Sequence, residues 1–263
     1  MPERNDSGEG MSKNKIFVDN VSLRYSDETE SLKKVTLPIV SNKINVIFGP
    51  AGGGKSSLLR MFNRLNDLAD VILLKGRVML DDEDILSPKC DVIALRRKVG
   101  MVFSRPVVLP MTIRQNLTYG LELAGIRKKK KLDKAVKRSL KQAALWEEVK
   151  DRLDDPAIAL SGGQQQRLCL ARVLAIEPEV ILLDEPTSGL DPISTLKVEE
   201  SLQVLKKDYT IVLVPHSVQQ AARTADLCAF FLQGELIEYG PADQIFINPK
   251  DKRTRDYVEG RFG

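Results

Sequence analysis

The chain has 263 residues, 43% of them hydrophobic and 29% charged, enough to bury a core of its own in one or two domains and far from a disordered composition. Its 40 Lys and Arg against 36 Asp and Glu leave a formal charge of +4, too slight an imbalance to argue for nucleic acid, and no nucleic-acid partner is expected. No stretch reaches the roughly 18 apolar residues that cross a bilayer, and three scattered cysteines with a single histidine suggest neither a zinc site nor a disulfide framework.

Residues 1–14 are polar and charged and read as a loose leader, with Met11 a second candidate start. Strands are predicted over 16–19, 21–25 and 32–40, separated by the charged turn 26–31, so a β-rich antiparallel edge comes first. Ile44–Phe48 is an apolar strand running into a glycine-rich loop. A helix over 56–66 follows, with Leu58, Met61, Phe62 and Leu65 at helical spacing. From 107 to 178 the pattern turns helical and charged, including 131–144 with Leu132, Val136, Leu140 and Ala143 on one face; the basic run Arg127–Lys131 reads as a solvated helix entry. Two apolar strands, 180–183 and 210–214, flank a helix over 193–206, the pattern of a βαβ unit. A hairpin over 227–239 turning at Gln233-Gly234 and helical potential at 254–258 close the chain. The expected fold is α/β: a mostly parallel sheet flanked by helices (15–106 and 179–263), an antiparallel β subdomain at its start, and a helical insertion at 107–178.

Gly49-Pro50-Ala51-Gly52-Gly53-Gly54-Lys55-Ser56 matches G-x-x-x-x-G-K-[ST] between a strand and a helix. Glycines let the backbone wrap so that successive N–H groups, through Ser57, face phosphate oxygens, and the helix start adds its positive dipole end. Lys55 reaches the β- and γ-phosphates and Ser56 ligates Mg²⁺, so ATP with Mg²⁺ is the expected ligand. Asp184 and Glu185 end a strand apolar enough to be buried on both faces, the end at which α/β ligands bind. Asp184 is assigned to Mg²⁺ and Glu185 to the water that attacks the γ-phosphate.

Leu160-Ser161-Gly162-Gly163-Gln164 precedes a further helix. Ser161 as N-cap and Gln164 three residues on read as a capping box; this leaves both glycines unexplained. A second, compatible reading has the bare backbone at Gly162 and Gly163 approach a phosphate bound elsewhere. Leu-Ser-Gly-Gly-Gln is the signature of ABC ATPases, which are P-loop NTPases, and the chain resembles that family from about Ile16 onward. The resemblance implies a head-to-tail dimer of two copies, each ATP lying between one copy's phosphate loop and the other's Ser161–Gln164. It also implies integral membrane permease partners and a peripheral position for this chain on the cytoplasmic face of the inner membrane. By the same resemblance Asp191 lies in the loop that lets the two sites sense each other, His216 contacts the γ-phosphate, and Tyr25 stacks on adenine.

Segments 61–68, 144–153, 219–226 and 246–263 look like the ATPase subunit of bacterial phosphate importers, which implies a phosphate permease served by an extracytoplasmic solute-binding protein. Two positions depart from the pattern. Ser104 replaces a Gln that meets Mg²⁺ and the attacking water, and is short enough to act only through a bridging water, so weaker coupling or slower turnover is expected. Pro215 stands where Thr is common before the histidine, removing a backbone donor. These departures leave tungstate or molybdate as alternative cargo, and a soluble ABC ATPase without a permease as an alternative class.

Overall fold

The computed structural model describes residues 13–261; most of the leader and the last two residues of the Gly-Arg-Phe-Gly ending lie outside the described residues. In chain order come β1 (Asn14–Tyr25), β2 (Glu30–Val40), β3 (Ile44–Phe48), α1 (Lys55–Met61), β4 (Val71–Leu80), β5 (Glu83–Asp84), α2 (Val92–Lys98) and β6 (Val99–Val102). Then follow α3 (Ile113–Leu123), α4 (Lys129–Gln142), α5 (Trp146–Val149), α6 (Gly162–Ala175), β7 (Val180–Asp184), α7 (Pro192–Leu205) and β8 (Thr210–Val214). The chain ends with α8 (Val218–Thr224), β9 (Leu227–Leu232), β10 (Glu235–Pro241), α9 (Ala242–Ile247) and α10 (Lys252–Val258).

Two sheets form. One is antiparallel, in the order β2-β1-β4-β5; the other runs β10-β9-β3-β8-β7-β6, parallel from β9 to β6 with β10 antiparallel at its edge. Every residue of β3, β7 and β8 is buried, as central parallel strands covered on both faces must be. The pleat sends alternate side chains to opposite faces. Ile181, Leu183, Ile211 and Leu213 share one buried cluster with Leu117, Val136, Leu140 and Leu168 of the helices that lie between β6 and β7. Val180, Leu182, Val212 and Val214 share another with the antiparallel sheet and with Leu58, Leu59 and Phe62. Among the described residues no helix is long and apolar enough to cross a membrane. The three cysteines are free, and burial pushes the thiols of Cys169 and Cys228 up, which keeps them as unreactive core groups.

The expected α/β architecture with its antiparallel opening and helical insertion is present, with several corrections to the elements. The predicted break at Asn20 is no turn. β1 runs through it as a bulge, Asn20 taking φ 50 opposite Gly76 at φ 94, and the pairing register shifts there against both neighbours. The helix predicted to reach residue 66 stops at Met61 because Arg64 takes φ 59 and the Arg96 side chain donates to the carbonyl oxygens of Asn63 and Arg64. Strands β4 and β6 were not predicted. β4 carries the exposed stretch Lys75-Gly76-Arg77 in its middle, which breaks the alternation that marks a strand. The basic run is a helix entry: Lys129–Lys131 form the exposed first turn of α4.

Candidate functional site

Because β3 is buried throughout, the chain leaves the sheet at Phe48 in a fixed direction, and α1 opens at Lys55. The intervening loop turns back so tightly that a Cβ on Gly49 would stand 2.0 Å from the Phe231 carbonyl oxygen, and one on Gly54 2.0 Å from that of Ser31. Lys55 Nζ folds over the loop and donates to the Pro50 carbonyl oxygen at 2.7 Å. Burial pushes its ammonium below the ordinary value, against the pull of the Glu185 and Asp184 carboxylates. Ser56 Oγ donates to Asp184 Oδ1 at 3.0 Å. Tyr25 Oη donates to Ser57 Oγ at 3.1 Å, which seats the ring against the start of α1.

Asp184 is the last residue of β7 and Glu185 the first beyond it. The Glu185 N–H donates to the Val214 carbonyl oxygen at 2.8 Å while its backbone takes φ 47, an uncommon conformation for a non-glycine residue. The turn lifts the carboxylate out of the sheet and into a cleft of about 220 Å³ lined by Gly49, Ala51, Lys55, Glu185 and His216. Tyr257 of α10 also lines it and packs its ring 6.1 Å from that of Phe48. Three segments far apart in sequence thus meet: the phosphate loop with its lysine, the second acid and the histidine.

The oxygens of Ser56 and Asp184 are hard donors of the kind Mg²⁺ takes. Among the described residues no cluster of three or more His, Cys, Asp or Glu could cage a metal. Mg²⁺ beside a nucleotide takes one or two protein oxygens, with phosphates and water completing its shell.

Other predicted residues lie elsewhere. Ser161–Gln164 are not among the residues lining the cleft. Ser161 caps α6, its Oγ accepting from the Gln164 N–H at 3.3 Å while Gln164 Oε1 accepts from the Ser161 N–H at 3.1 Å, so the capping box is real. The two glycines divide: a Cβ on Gly163 would stand 2.4 Å from Ser194 Oγ of α7, whereas one on Gly162 would meet nothing within 4 Å. Asp191 caps α7, accepting from the N–H groups of Ile193 and Ser194; the Ser194 hydroxyl first of all, and then these amides, hold its carboxyl below the ordinary range. Ser104 follows β6, and Gln166 Nε2 of α6 donates to the neighbouring Phe103 carbonyl oxygen at 2.8 Å.

The model of the ABC transporter family matches residues 32–188, more than half of the chain. The chain belongs to the ABC transporter family. Among solved structures it is similar to cbiO1 from Clostridium perfringens, described as part of the ABC transporter complex cbiONQ. Identity is 28% and the TM-score 0.78, over 94% of this chain and 96% of that one. A bacterial Atm1-family ABC exporter with ATP bound shares the fold, with TM-score 0.77 at 24% identity, over 94% of this chain and 42% of that chain. The chain is therefore the nucleotide-binding domain of an ABC ATPase, and its family binds and hydrolyses ATP.

Three contributors to this ABC ATPase's site architecture escape the motifs. Gln220 and Thr187 form a buried network behind the cleft. The third is Glu148 of α5, which accepts from Arg167 Nη1 at 2.8 Å and Nη2 at 3.0 Å, from Lys197 Nζ at 2.7 Å and from Gln164 Nε2 at 3.0 Å. It ties the signature helix α6 to α7, and the Arg167 guanidinium first of all holds its carboxyl down to about 2. Arg167 is only 3% exposed. Glu148→Ala leaves that cation with carbonyl partners alone, so a loss of about 3 kcal/mol is expected in urea unfolding. The carboxyl lies below its ordinary 4.5 in the folded chain, so its contribution is full above about pH 4.5 and fades as pH falls toward 2. The stability gap between the wild type and Glu148→Gln therefore narrows across that window, and a pH-independent gap would contradict the assignment.

Proposed function

We propose that this chain hydrolyses ATP to drive inward transport of an inorganic anion, phosphate, through a membrane permease. The observation that carries the hydrolytic part is the cleft that brings Lys55, Glu185 and His216 onto one phosphate loop. In this reading the loop 49–57 holds the phosphates, Lys55 neutralises the β- and γ-phosphates, Glu185 receives the proton of the attacking water, and His216 contacts the γ-phosphate. Ser56 and Asp184 would hold Mg²⁺, whose charge stabilises the phosphate oxygens when it is bound. Tyr25, beside Ser57, is the adenine platform, and Ser104 reaches the site only through water.

Gly162 supports the dimer reading. Space inside the chain does not require a glycine there, and the signature lies apart from the cleft, as it must if it serves a second copy's ATP. Asp191 sits at the start of α7, where two such copies would sense each other. Residues 107–178 are then the arm that carries the signature, and 15–106 with 179–263 the catalytic core. The permease and the peripheral position on the cytoplasmic face of the membrane rest on the likeness to cbiO1 over nearly its whole length.

Phosphate rests on the four importer-like segments; the departures at Ser104 and Pro215 leave another oxyanion, tungstate or molybdate, as the second reading. Labelled phosphate uptake is expected to fall several-fold on deletion of the protein in cells lacking any other phosphate system, with tungstate and sulfate failing to compete. Uptake unchanged by deletion would remove phosphate as the cargo. Competition by tungstate would move the assignment to the second reading.

A further inference from the structure

The loops that follow β7 and β8 carry Glu185 and His216, and a single buried amide joins them. Gln220, on α8, is 1% exposed. Its Oε1 accepts from the His216 backbone N–H at 3.1 Å. Its Nε2 donates to Thr187 Oγ1 at 2.9 Å and to Glu199 Oε1 at 3.3 Å, and the Thr187 hydroxyl lies 3.2 Å from Oε1. The orientation of this amide follows from its partners: a backbone N–H can only donate and a carboxylate oxygen accepts, so Oε1 faces His216 and Nε2 faces Glu199.

Thr187 is two residues beyond Glu185 and is 3% exposed; Glu199 on α7 is 7% exposed and paired with Arg223. The network is therefore dry, and a buried network with its partners satisfied rigidifies what it joins. Pro215 sharpens the point. It lacks an N–H, so after β8 the first backbone donor is that of His216, and Gln220 takes it. On the other side of the junction Glu185 N–H is bonded to the Val214 carbonyl oxygen at 2.8 Å. The two loops are thus cross-tied twice, and only one of the ties uses a side chain.

We propose that Gln220 is a positioning residue for hydrolysis: it sets His216 against Glu185 by holding the His216 N–H and Thr187 with one amide. This rests on the roles given above to Glu185 and His216. Its side chain does not line the cleft, so it acts through the placement of those groups and affects turnover rather than ATP affinity.

The test is a double-mutant cycle on the full chain, with steady-state ATPase giving kcat and KM, and thermal melting to confirm folding. Gln220→Met keeps length and bulk but removes both hydrogen-bonding ends. It is expected to lower kcat roughly five- to tenfold with KM for ATP within about twofold, the scale of one lost neutral hydrogen bond. In a His216→Ala background the same change is expected to cost less than about twofold, because there is no imidazole left to position. Gln220→Glu, which keeps an acceptor for the His216 N–H, is expected to retain more activity than Gln220→Met. It stands as the folded comparison if the methionine variant melts early: its kcat loss too must shrink when His216 is absent. Wild-type kcat in a folded Gln220→Met, or equal losses with and without His216, would overturn the proposal. A His216→Ala variant with undiminished kcat would instead overturn the role assigned to His216, so the two failures are distinguishable.

Discussion

Glu185→Gln is expected to bind ATP as tightly as the wild type and to turn it over slower by a factor on the order of 10² or more. The geometry gives the reason for both halves. Glu185 sits at the end of a fully buried strand, in a turn with φ 47 whose N–H is tied to the Val214 carbonyl oxygen, so the amide variant inherits the same position and shape. What it loses is a basic oxygen able to take the proton from an attacking water. In the proposed site phosphate binding falls to other groups, Lys55 and the loop amides, and removing a carboxylate beside the phosphates would take away a repulsion. Phosphate release assays and titration with a fluorescent ATP analogue read the two quantities separately. Hydrolysis within about threefold of wild type would remove Glu185 from its role.

Gly54→Ala is expected to weaken ATP binding by at least about 10²-fold, some 3 kcal/mol. The residue takes φ 90, where a side chain is strained, and its Cβ would lie 2.0 Å from the Ser31 carbonyl oxygen. That oxygen belongs to β2, whose next residue Leu32 is paired with Leu23 of β1, so the strand cannot easily yield. The loop must move instead, and with it the N–H groups that face the phosphates and the start of α1. An added Cβ would also come 3.2 Å from Leu32 Cδ2 of a buried cluster, so a cooperative unfolding transition is checked first, to show that the variant folds, and isothermal titration then shows the lost affinity. An alanine variant with near wild-type affinity would mean that the loop is not the phosphate cradle.

Much of this was legible because the residues concerned act locally. The phosphate loop needs glycines at set spacing before a lysine and a helix, and the acidic pair needs an apolar run ahead of it, so both can be read along the chain. Strands β3, β7 and β8 of the central sheet were equally plain, being short, continuous and apolar. β4 was not, since its middle is exposed and its long partner, β1, lies far back in the chain with β2, β3 and α1 between them. The early end of α1 was hidden too, because the group that caps it, Arg96, belongs to another helix.

The capping box at Ser161 and Gln164 was readable from four consecutive residues, but the two glycines beside it were not separable by sequence. Gly163 is needed for the approach of α7, while Gly162 faces open space. Glu148 and Gln220 carry no motif at all. Each matters through partners on other helices, Arg167 and Lys197 for one and Thr187, Glu199 and the His216 backbone for the other.

The phosphate loop of residues 49–57, the acidic end of β7 and the signature were determined by the sequence itself, because glycine, charge and apolar runs constrain the backbone over a few neighbouring residues. Which of these share one cleft, which face elsewhere, and what holds His216 beside Glu185 were decided only by the tertiary structure. Those answers depend on the order of strands in the sheet and on buried hydrogen bonds between residues distant in sequence, which no local pattern encodes.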